Sequence, residues 1–319
     1  MGNVATMKKP DSATLRSAVQ AVLDEGLSQT ELAKLAGTSG STVGRWMADK
    51  YEGDNAKIER QLNAALAVLA DRKAAAAALP TPPAWIATPT AELIMDLLRY
   101  GHIAGDMVLV YGGAGVCKTE TAKRYAEQST NVWMITATRA TGGLCAMLQE
   151  VAAALNLAEI REGRPGSAVL YRAIIKRLAG TQGLLEVDEA QNLDLQALDQ
   201  LRQIHDATGI GIALLGNEKV YSQMTGGNRA HYLDRLFSRI GQRLRLTRVS
   251  DKDTDAIIAA WGLEAKGAIP LLRQIGASPG GLRAVTKTLR LASMFAAGEE
   301  RSVNTADIKA SWKRLGSAS

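Results

Sequence analysis

Cysteine is nearly absent. Cys117 and Cys145 are the only two in 319 residues, with neither metal-ligand spacing nor the number a disulfide framework needs, which points to a reducing cytoplasm. Aromatic residues are also scarce, 4% of the chain with two Phe, and no aromatic-rich segment offers a stacking platform for single-stranded nucleic acid. No apolar run approaches the ~20 residues of a membrane span, and Met1–Pro10 lacks the apolar stretch of a signal peptide, so no membrane partner is expected. Repeats and low-complexity tracts are missing apart from Ala74–Ala78.

What is present suits a folded protein of several units. Hydrophobic residues make up 46% and charged residues 22%, which excludes a disordered chain. The length exceeds one core and implies two or three. A net charge of +6 permits an anionic polymer as partner without requiring one.

The first unit, residues 1–79, reads as helical. Ser12–Asp24 forms one helix. Ser28, with Glu31 three residues on, sets up a capping box for a second, whose buried stripe is Leu32, Ala33 and Ala36. Gly37 fits a turn, and Ser39–Asp49 forms a third helix with Val43 and Trp46 facing inward. The pattern resembles the helix-turn-helix of phage repressors, which implies that Ser39, Ser41, Thr42 and Arg45 face the major groove or its phosphates. A three-helix interaction domain is the other reading. Ala56–Leu79 continues as an alanine-rich helix, and Pro80-Thr-Pro-Pro83 then forces an extended linker over residues 80–88.

Beyond the linker, strands and helices alternate as in an α/β parallel sheet, over residues 89–249. The expected strands are Met107–Tyr111, Asn131–Ala137, Leu184–Val187, Gly211–Leu215 and Gln242–Thr247. From residue 250 to 319 strand signals stop, and Asp253–Trp261, Ala268–Ile275, Gly281–Ala297 and Thr305–Leu315 read as a helical bundle.

The first strand runs into Gly112-Gly113-Ala114-Gly115-Val116-Cys117-Lys118-Thr119, the phosphate-loop pattern save that Cys117 stands at the second required glycine. In such a loop the backbone N–H groups wrap the phosphates, the lysine bridges the β- and γ-phosphates, and the hydroxyl holds Mg2+. Leu184-Leu-Glu-Val-Asp-Glu189 places two acids at the end of an apolar strand, with Asp188 suited to assist Mg2+ and Glu189 to activate a water. Asn217 ends the next strand and could orient that water. Arg235 and Arg239 are one helical turn apart, so a single helix face should carry both. Helix arginines are most often merely solvated. Before the last strand, though, they could reach a neighbouring subunit's phosphate. Arg283, in Pro279-Gly-Gly-Leu-Arg283, opens a bundle helix and could reach back to the nucleotide.

These features in this order resemble the AAA+ ATPases, over roughly residues 85–319. Asn131–Ala137, Gly180–Leu185, Val220–Arg229 and Leu236–Ile240 lie outside the generic motifs and are similar to the MuB-like target-DNA activators of transposing phages. So do Asp49–Asn55 and the Pro-Pro linker, so that the likeness spans nearly the whole chain. The resemblance implies an AAA+ core with a C-terminal helical lid and a separate helix-turn-helix domain. It also implies ATP and Mg2+ as cofactors, self-association into a helical filament on double-stranded DNA, and stimulation of a DDE transposase in a bacterial cytoplasm.

Two residues depart from the pattern. A Cβ at Cys117 should crowd the ligand or force a strained dihedral. Glu186 stands where a strand covered on both faces wants an aliphatic residue. Together they point to a weakened ATPase or to an altered copy of a functional ancestor. For DNA, Lys266, Arg273, Arg283, Lys287 and Arg290 are the only charged residues from Lys266 to Ala297. They form either a phosphate-binding face or a solvated one. Arg139, after the second strand, is a further candidate. A sequence-specific regulator with an ATPase-derived oligomerisation module, and a helicase-loader type ATPase, are the competing functions.

Overall fold

The computed structural model describes residues 12–78, 83, 85–157, 165–225, 235–299 and 301–316. Residues 80–82 and 84 of the Pro-rich linker, and residues 226–229 at the end of the Val220–Arg229 segment, lie outside the described residues. The chain divides into two compact units, Met1–Thr81 and Pro82–Ser319.

The first unit contains α1 (Ser12–Asp24), α2 (Gln29–Leu35), α3 (Gly40–Met47) and α4 (Asn55–Ala78). The Ser28–Glu31 capping box forms with both of its hydrogen bonds. Between α2 and α3, Gly37 adopts a φ of 66°, the left-handed conformation that ends a helix without a Cβ penalty. Gly44 lets the two helices close up, since a Cβ there would lie 2.8 Å from Gln29 Nε2, whose amide donates to Gly40 O at 2.6 Å. Leu15, Val19, Leu32, Val43 and Trp46 form the core with Ile58 and Leu62 from the first half of α4.

The second unit is built on a five-stranded sheet in the order β2-β3-β4-β1-β5. Its strands are β1 (Met107–Gly112), β2 (Val132–Thr136), β3 (Leu184–Asp188), β4 (Gly211–Gly216) and β5 (Ile240–Leu246), and every neighbouring pair is parallel. The helices are α5 (Pro89–Ala104), α6 (Lys118–Gln128), α7 (Leu144–Ala154), α8 (Ser167–Leu178), α9 (Leu195–Thr208), α10 (Glu218–Thr225), α11 (Asp251–Ala260), α12 (Ile269–Ala277), α13 (Gly281–Gly298) and α14 (Thr305–Arg314). One sheet face packs on α7, α8 and α9. The other packs on α5, α6 and the bundle α11–α14, whose Leu272, Val285, Leu289 and Ile308 join the same core.

Two expectations move. The last strand begins at Ile240 instead of Gln242, because Ile240 pairs with Met107 before a register shift, at which Gly241 leaves room for Asp106: a Cβ there would lie 1.9 Å from its Oδ2. That early start cuts short the helix expected to carry both arginines. Residues 235–237 are helical and Arg239 lies in the following turn, its N–H donating to Leu236 O at 3.0 Å.

Candidate nucleotide-binding site

β1 delivers the loop into a closely fitted cradle. Gly112 has a φ of 132°, and a Cβ there would lie 1.9 Å from Leu246 O; the next N–H, of Gly113, donates to that carbonyl at 2.7 Å. Gly115, at φ 76°, faces the bundle, where a Cβ would lie 2.1 Å from Gly280 O, and its own carbonyl accepts from Leu282 N at 2.9 Å. The loop is thus pinned to β5 on one side and to the start of α13 on the other. Ala114 is exposed at its tip and Val116 is buried beneath it. Lys118 folds back, its Nζ donating to Gly113 O at 2.6 Å and Gly112 O at 3.1 Å. Burial pushes its ammonium down, against the pull of Asp188 and Glu189.

Cys117 takes the strained alternative. Its φ of 60° and ψ of 11° are left-handed, a conformation that costs a residue with a Cβ on the order of 1–2 kcal/mol. The side chain packs with the apolar cluster on the α5 side, where Sγ lies 3.8 Å from Thr88 Oγ1. Its carbonyl accepts from Thr121 Oγ1 at 2.9 Å, so α6 starts normally in spite of the strain.

β3 brings the acids up beside α6. The Thr119 hydroxyl donates to Asp188 Oδ2 at 2.7 Å, and Asp188 is 3% exposed. Burial raises its pKa, with the Thr119 hydrogen bond opposing. A desolvated carboxylate beside a hydroxyl is an oxygen-only donor pair that suits Mg2+. Glu189 is also left-handed, at φ 53°, which turns the chain sharply into the short 3-10 turn Ala190–Asn192. Two residues below Asp188, Glu186 is 0% exposed, flanked in the sheet by Met134 and Ala213. Neither of its oxygens has a hydrogen-bond partner. Burial, with the nearby Asp188 charge adding, pushes its carboxyl up to about 8.

Asn217 follows β4, and its Oδ1 caps α10 by accepting from Lys219 N at 2.9 Å. Arg239 is held within its own chain, Nε donating to Asp206 Oδ1 at 2.9 Å. Asp206 also accepts from Arg202 at 2.5 Å, and Arg202 donates to Asp199 at 2.8 Å. Arg235 is exposed and near enough to lower the Asp199 pKa, behind the larger effect of Arg202. Arg283 is exposed on the first turn of α13.

The candidate DNA contacts fall in separate places. In the first unit, Ser41 and Arg45 are exposed, whereas Thr42 is half-buried. Ser39 caps α3, its Oγ accepting from Thr42 N and bonding to both neighbouring hydroxyls. In the second unit Arg139 is exposed in the turn after β2, Lys266 is exposed in the short 3-10 turn Lys266–Ala268, and Lys287 and Arg290 extend the exposed α13 face that begins with Arg283. Arg273 is already engaged, with two hydrogen bonds to Asp255 at 2.7 and 2.9 Å.

Three groups at the site escape sequence reasoning. Gln191 links Glu189 to Asn217: its Nε2 donates to Glu189 Oε2 and its Oε1 accepts from Asn217 N at 3.2 Å. Asp253 ties α11 to α5, accepting from Thr90 N at 2.9 Å and Thr90 Oγ1 at 2.7 Å. Burial pushes this carboxyl up, but the hydrogen bonds from Thr90 and Ser250 outweigh it and hold the pKa below its ordinary value. Its Ser-x-x-Asp capping pattern is readable; its partner on α5 is not. Tyr111 stacks on Tyr221 with centroids 4.7 Å apart, and Tyr221 meets Phe237 edge-on, which joins the loop strand to α10 and the segment carrying the arginines.

The chain has known relatives in sequence and in fold. Residues 104–224 match an AAA domain, and residues 238–315 match the C-terminal region of the Mu B transposition protein. The ATP-dependent target DNA activator B of Escherichia phage Mu is 37% identical over 303 residues, covering 95% of this chain and 94% of that protein. The Mu-like prophage FluMu DNA transposition protein B of Haemophilus influenzae is 36% identical over 272 residues, covering 84% and 92%. Among solved structures, Cdc6p from Pyrobaculum aerophilum superposes with a TM-score of 0.55 at 16% identity, covering 73% of this chain and 69% of that one. The Aeropyrum pernix ORC1 protein, in complex with DNA, gives 0.53 at 16% identity, covering 71% and 64%; these two likenesses bear on the fold alone. With an AAA+ core and identity to the phage activators along nearly its whole length, the chain belongs to the family of Mu B target DNA activators.

Proposed function

We propose that the protein is an Mg2+-dependent ATPase that binds duplex DNA with little sequence preference. It assembles on DNA as a helical filament and presents it as target to a DDE transposase in the host cytoplasm. The observation that carries this reading is the convergence of Lys118, Thr119, Asp188 and Glu189 on one strand-to-helix cradle in a chain whose relatives are named ATP-dependent target DNA activators.

In this reading Gly112–Thr119 hold the phosphates. Lys118 leaves the carbonyls of Gly112 and Gly113 for the phosphate oxygens, and Thr119 and Asp188 hold the metal. When bound there, Mg2+ would neutralise charge on the phosphates. Glu189 takes a proton from the attacking water, and Asn217 orients that water. Arg283 reaches the nucleotide from the lid, and Arg239 with Arg235 serves a neighbouring subunit. Residues 1–79 act as a helix-turn-helix domain, 80–88 as a linker, 89–249 as the ATPase core and 250–319 as the lid. Ser39, Ser41, Thr42, Arg45, Arg139, Lys266, Arg273, Lys287 and Arg290 supply DNA contacts. Such phosphate contacts give affinity that falls steeply with salt. Strain at Cys117 and the buried acid at Glu186 weaken ATP turnover.

The test measures ATP binding and DNA-length-dependent assembly for the native chain, for Cys117→Gly and for Glu186→Ile. ATP-dependent, sequence-tolerant assembly that is stronger in the two variants supports the reading. ATP-independent binding to one DNA sequence favours a regulator and overturns it.

A further inference from the structure

Resting on the reading of Glu189 as the group that activates water, we propose that Gln191 is a positioning residue that fixes the Glu189 carboxylate and couples it to the β4–α10 turn carrying Asn217. The 3-10 turn after β3 buries the Gln191 side chain, and its two amide ends are used in opposite directions. Nε2 donates to Glu189 Oε2, while Oε1 accepts from Asn217 N at 3.2 Å. Its backbone is held as well, Gln191 O accepting from Gln223 Nε2 of α10 at 3.5 Å.

The arrangement needs an amide. A carboxylate in the same place has no hydrogen to give Glu189 and would repel it. An apolar side chain of equal size serves neither end and leaves both Glu189 Oε2 and Asn217 N without this partner. It also needs Gly216, the last residue of β4. A Cβ at that position would lie 2.5 Å from Gln191 Oε1, so any larger residue pushes the amide off Asn217 N.

The bond to Oε2 leaves Glu189 Oε1 as the atom that can face water. It also fixes a carboxylate whose own backbone is left-handed, at φ 53°. Asn217 is the residue expected to meet the terminal phosphate, and its backbone is one hydrogen bond from Gln191 and two from Glu189. Movement of the β4–α10 turn towards a bound nucleotide is therefore passed to the base through a single side chain. A side chain with two fixed ends transmits a shift that a solvated one would absorb.

The experiment uses the full chain with duplex DNA, ATP and Mg2+. Gln191→Ala and Gln191→Glu should each lower kcat ten- to hundredfold, with KM for ATP and nucleotide affinity within about twofold of native. Gly216→Ala, which leaves Gln191 in place, should reproduce the loss. In a Glu189→Gln background Gln191→Ala should change the residual rate by less than twofold, because its effect acts through Glu189. A second readout needs no turnover: in nucleotide-free protein, Gln191→Ala and Glu189→Ala should be non-additive in their urea midpoints. Native kcat in Gln191→Ala overturns the proposal alone. So does an equal fall in kcat and ATP affinity, or additive urea midpoints. A native chain that binds ATP without turning it over overturns the catalytic reading, and this proposal with it.

Discussion

The two faces of the sheet are built to different rules. The face against α7, α8 and α9 is apolar throughout its described core, with Leu109, Leu185, Val187, Ile212 and Leu214 meeting Leu148, Val151, Leu198 and Leu201. The face against α5, α6 and the lid begins in the same way, with Val108, Val110, Ala213 and Leu215. It also carries a buried acid without a hydrogen-bond partner at Glu186, a desolvated carboxylate at Asp188 and a strained cysteine at its rim. Strand residues alternate between faces, so Glu186 and Asp188 share one face while Leu185 and Val187 share the other. One layer supplies stability. The other gives some of it up beside the proposed nucleotide site, and this is the layer that the C-terminal helical bundle joins.

The largest effect should come from the functional face with no cost to the fold. Glu189→Gln should lower ATP turnover by roughly 10²–10⁴-fold, the usual contribution of a positioned base, while the urea midpoint stays near native because Glu189 lies outside both core clusters. A comparable loss of stability would mean that the strand end is structural, and the contrast between the layers would fail.

Glu186→Ile should do the reverse and raise stability in a pH-dependent way. The carboxyl is held neutral in the folded protein up to about 8 and ionises near 4.5 when unfolded. Between those values the folded state binds more protons, so native stability falls as pH rises through that window and levels off above it. The loss is on the order of 3–5 kcal/mol. Replacement by Ile should flatten this slope, with a gain in urea midpoint that is small at pH 5 and largest at pH 8. An unchanged slope would show that Glu186 is solvated or paired, and would make the two faces alike.

The contrast was only partly legible in the sequence. Parallel strands covered on both faces read as short apolar runs, which made β1 to β4 visible and made Glu186 conspicuous among Leu184, Leu185 and Val187. β5 is an edge strand with exposed arginines, and its start, with the turn at Arg239 before it, depends on pairing with Met107 across the chain, which local pattern does not show. Cys117 was readable as a strained position because the loop pattern demands glycine there. The clamp of Gly115 O by Leu282 N and the bridge through Gln191 join residues far apart in the chain. Local pattern carries no signal for either.

Cys117→Gly should produce a smaller change. Relief of the left-handed strain, set against the greater freedom of glycine in the unfolded chain, leaves a gain of about 1 kcal/mol or less. Since the Sγ contact with Thr88 is long, at 3.8 Å, little is lost with it. The loop should then close more readily on phosphate, seen as tighter ATP binding in a titration. Weaker binding in the glycine variant would show that packing of Cys117 on the α5 side holds the loop open.

The smallest effect is expected on the outer surface of the apolar layer, where α9 presents Asp199, Arg202 and Asp206. The Arg239–Asp206 pair is open to solvent, with the two side chains 47% and 32% exposed, so its contribution to stability should stay below about 1 kcal/mol after screening. Asp206→Ala also removes the bond from Arg202, but Arg202 keeps its bond to Asp199, so the urea midpoint should shift little. Its value lies in what Arg239 then does. If the arginine serves a neighbouring subunit, the aspartate either aims it or withholds it, and the two differ in sign. With aiming, ATP turnover by assembled protein falls in Asp206→Ala, approaching the rate of Arg239→Ala. With withholding, turnover rises and its onset moves to lower protein concentration. No change in either rate or onset would confine function to the face carrying Glu186 and Asp188.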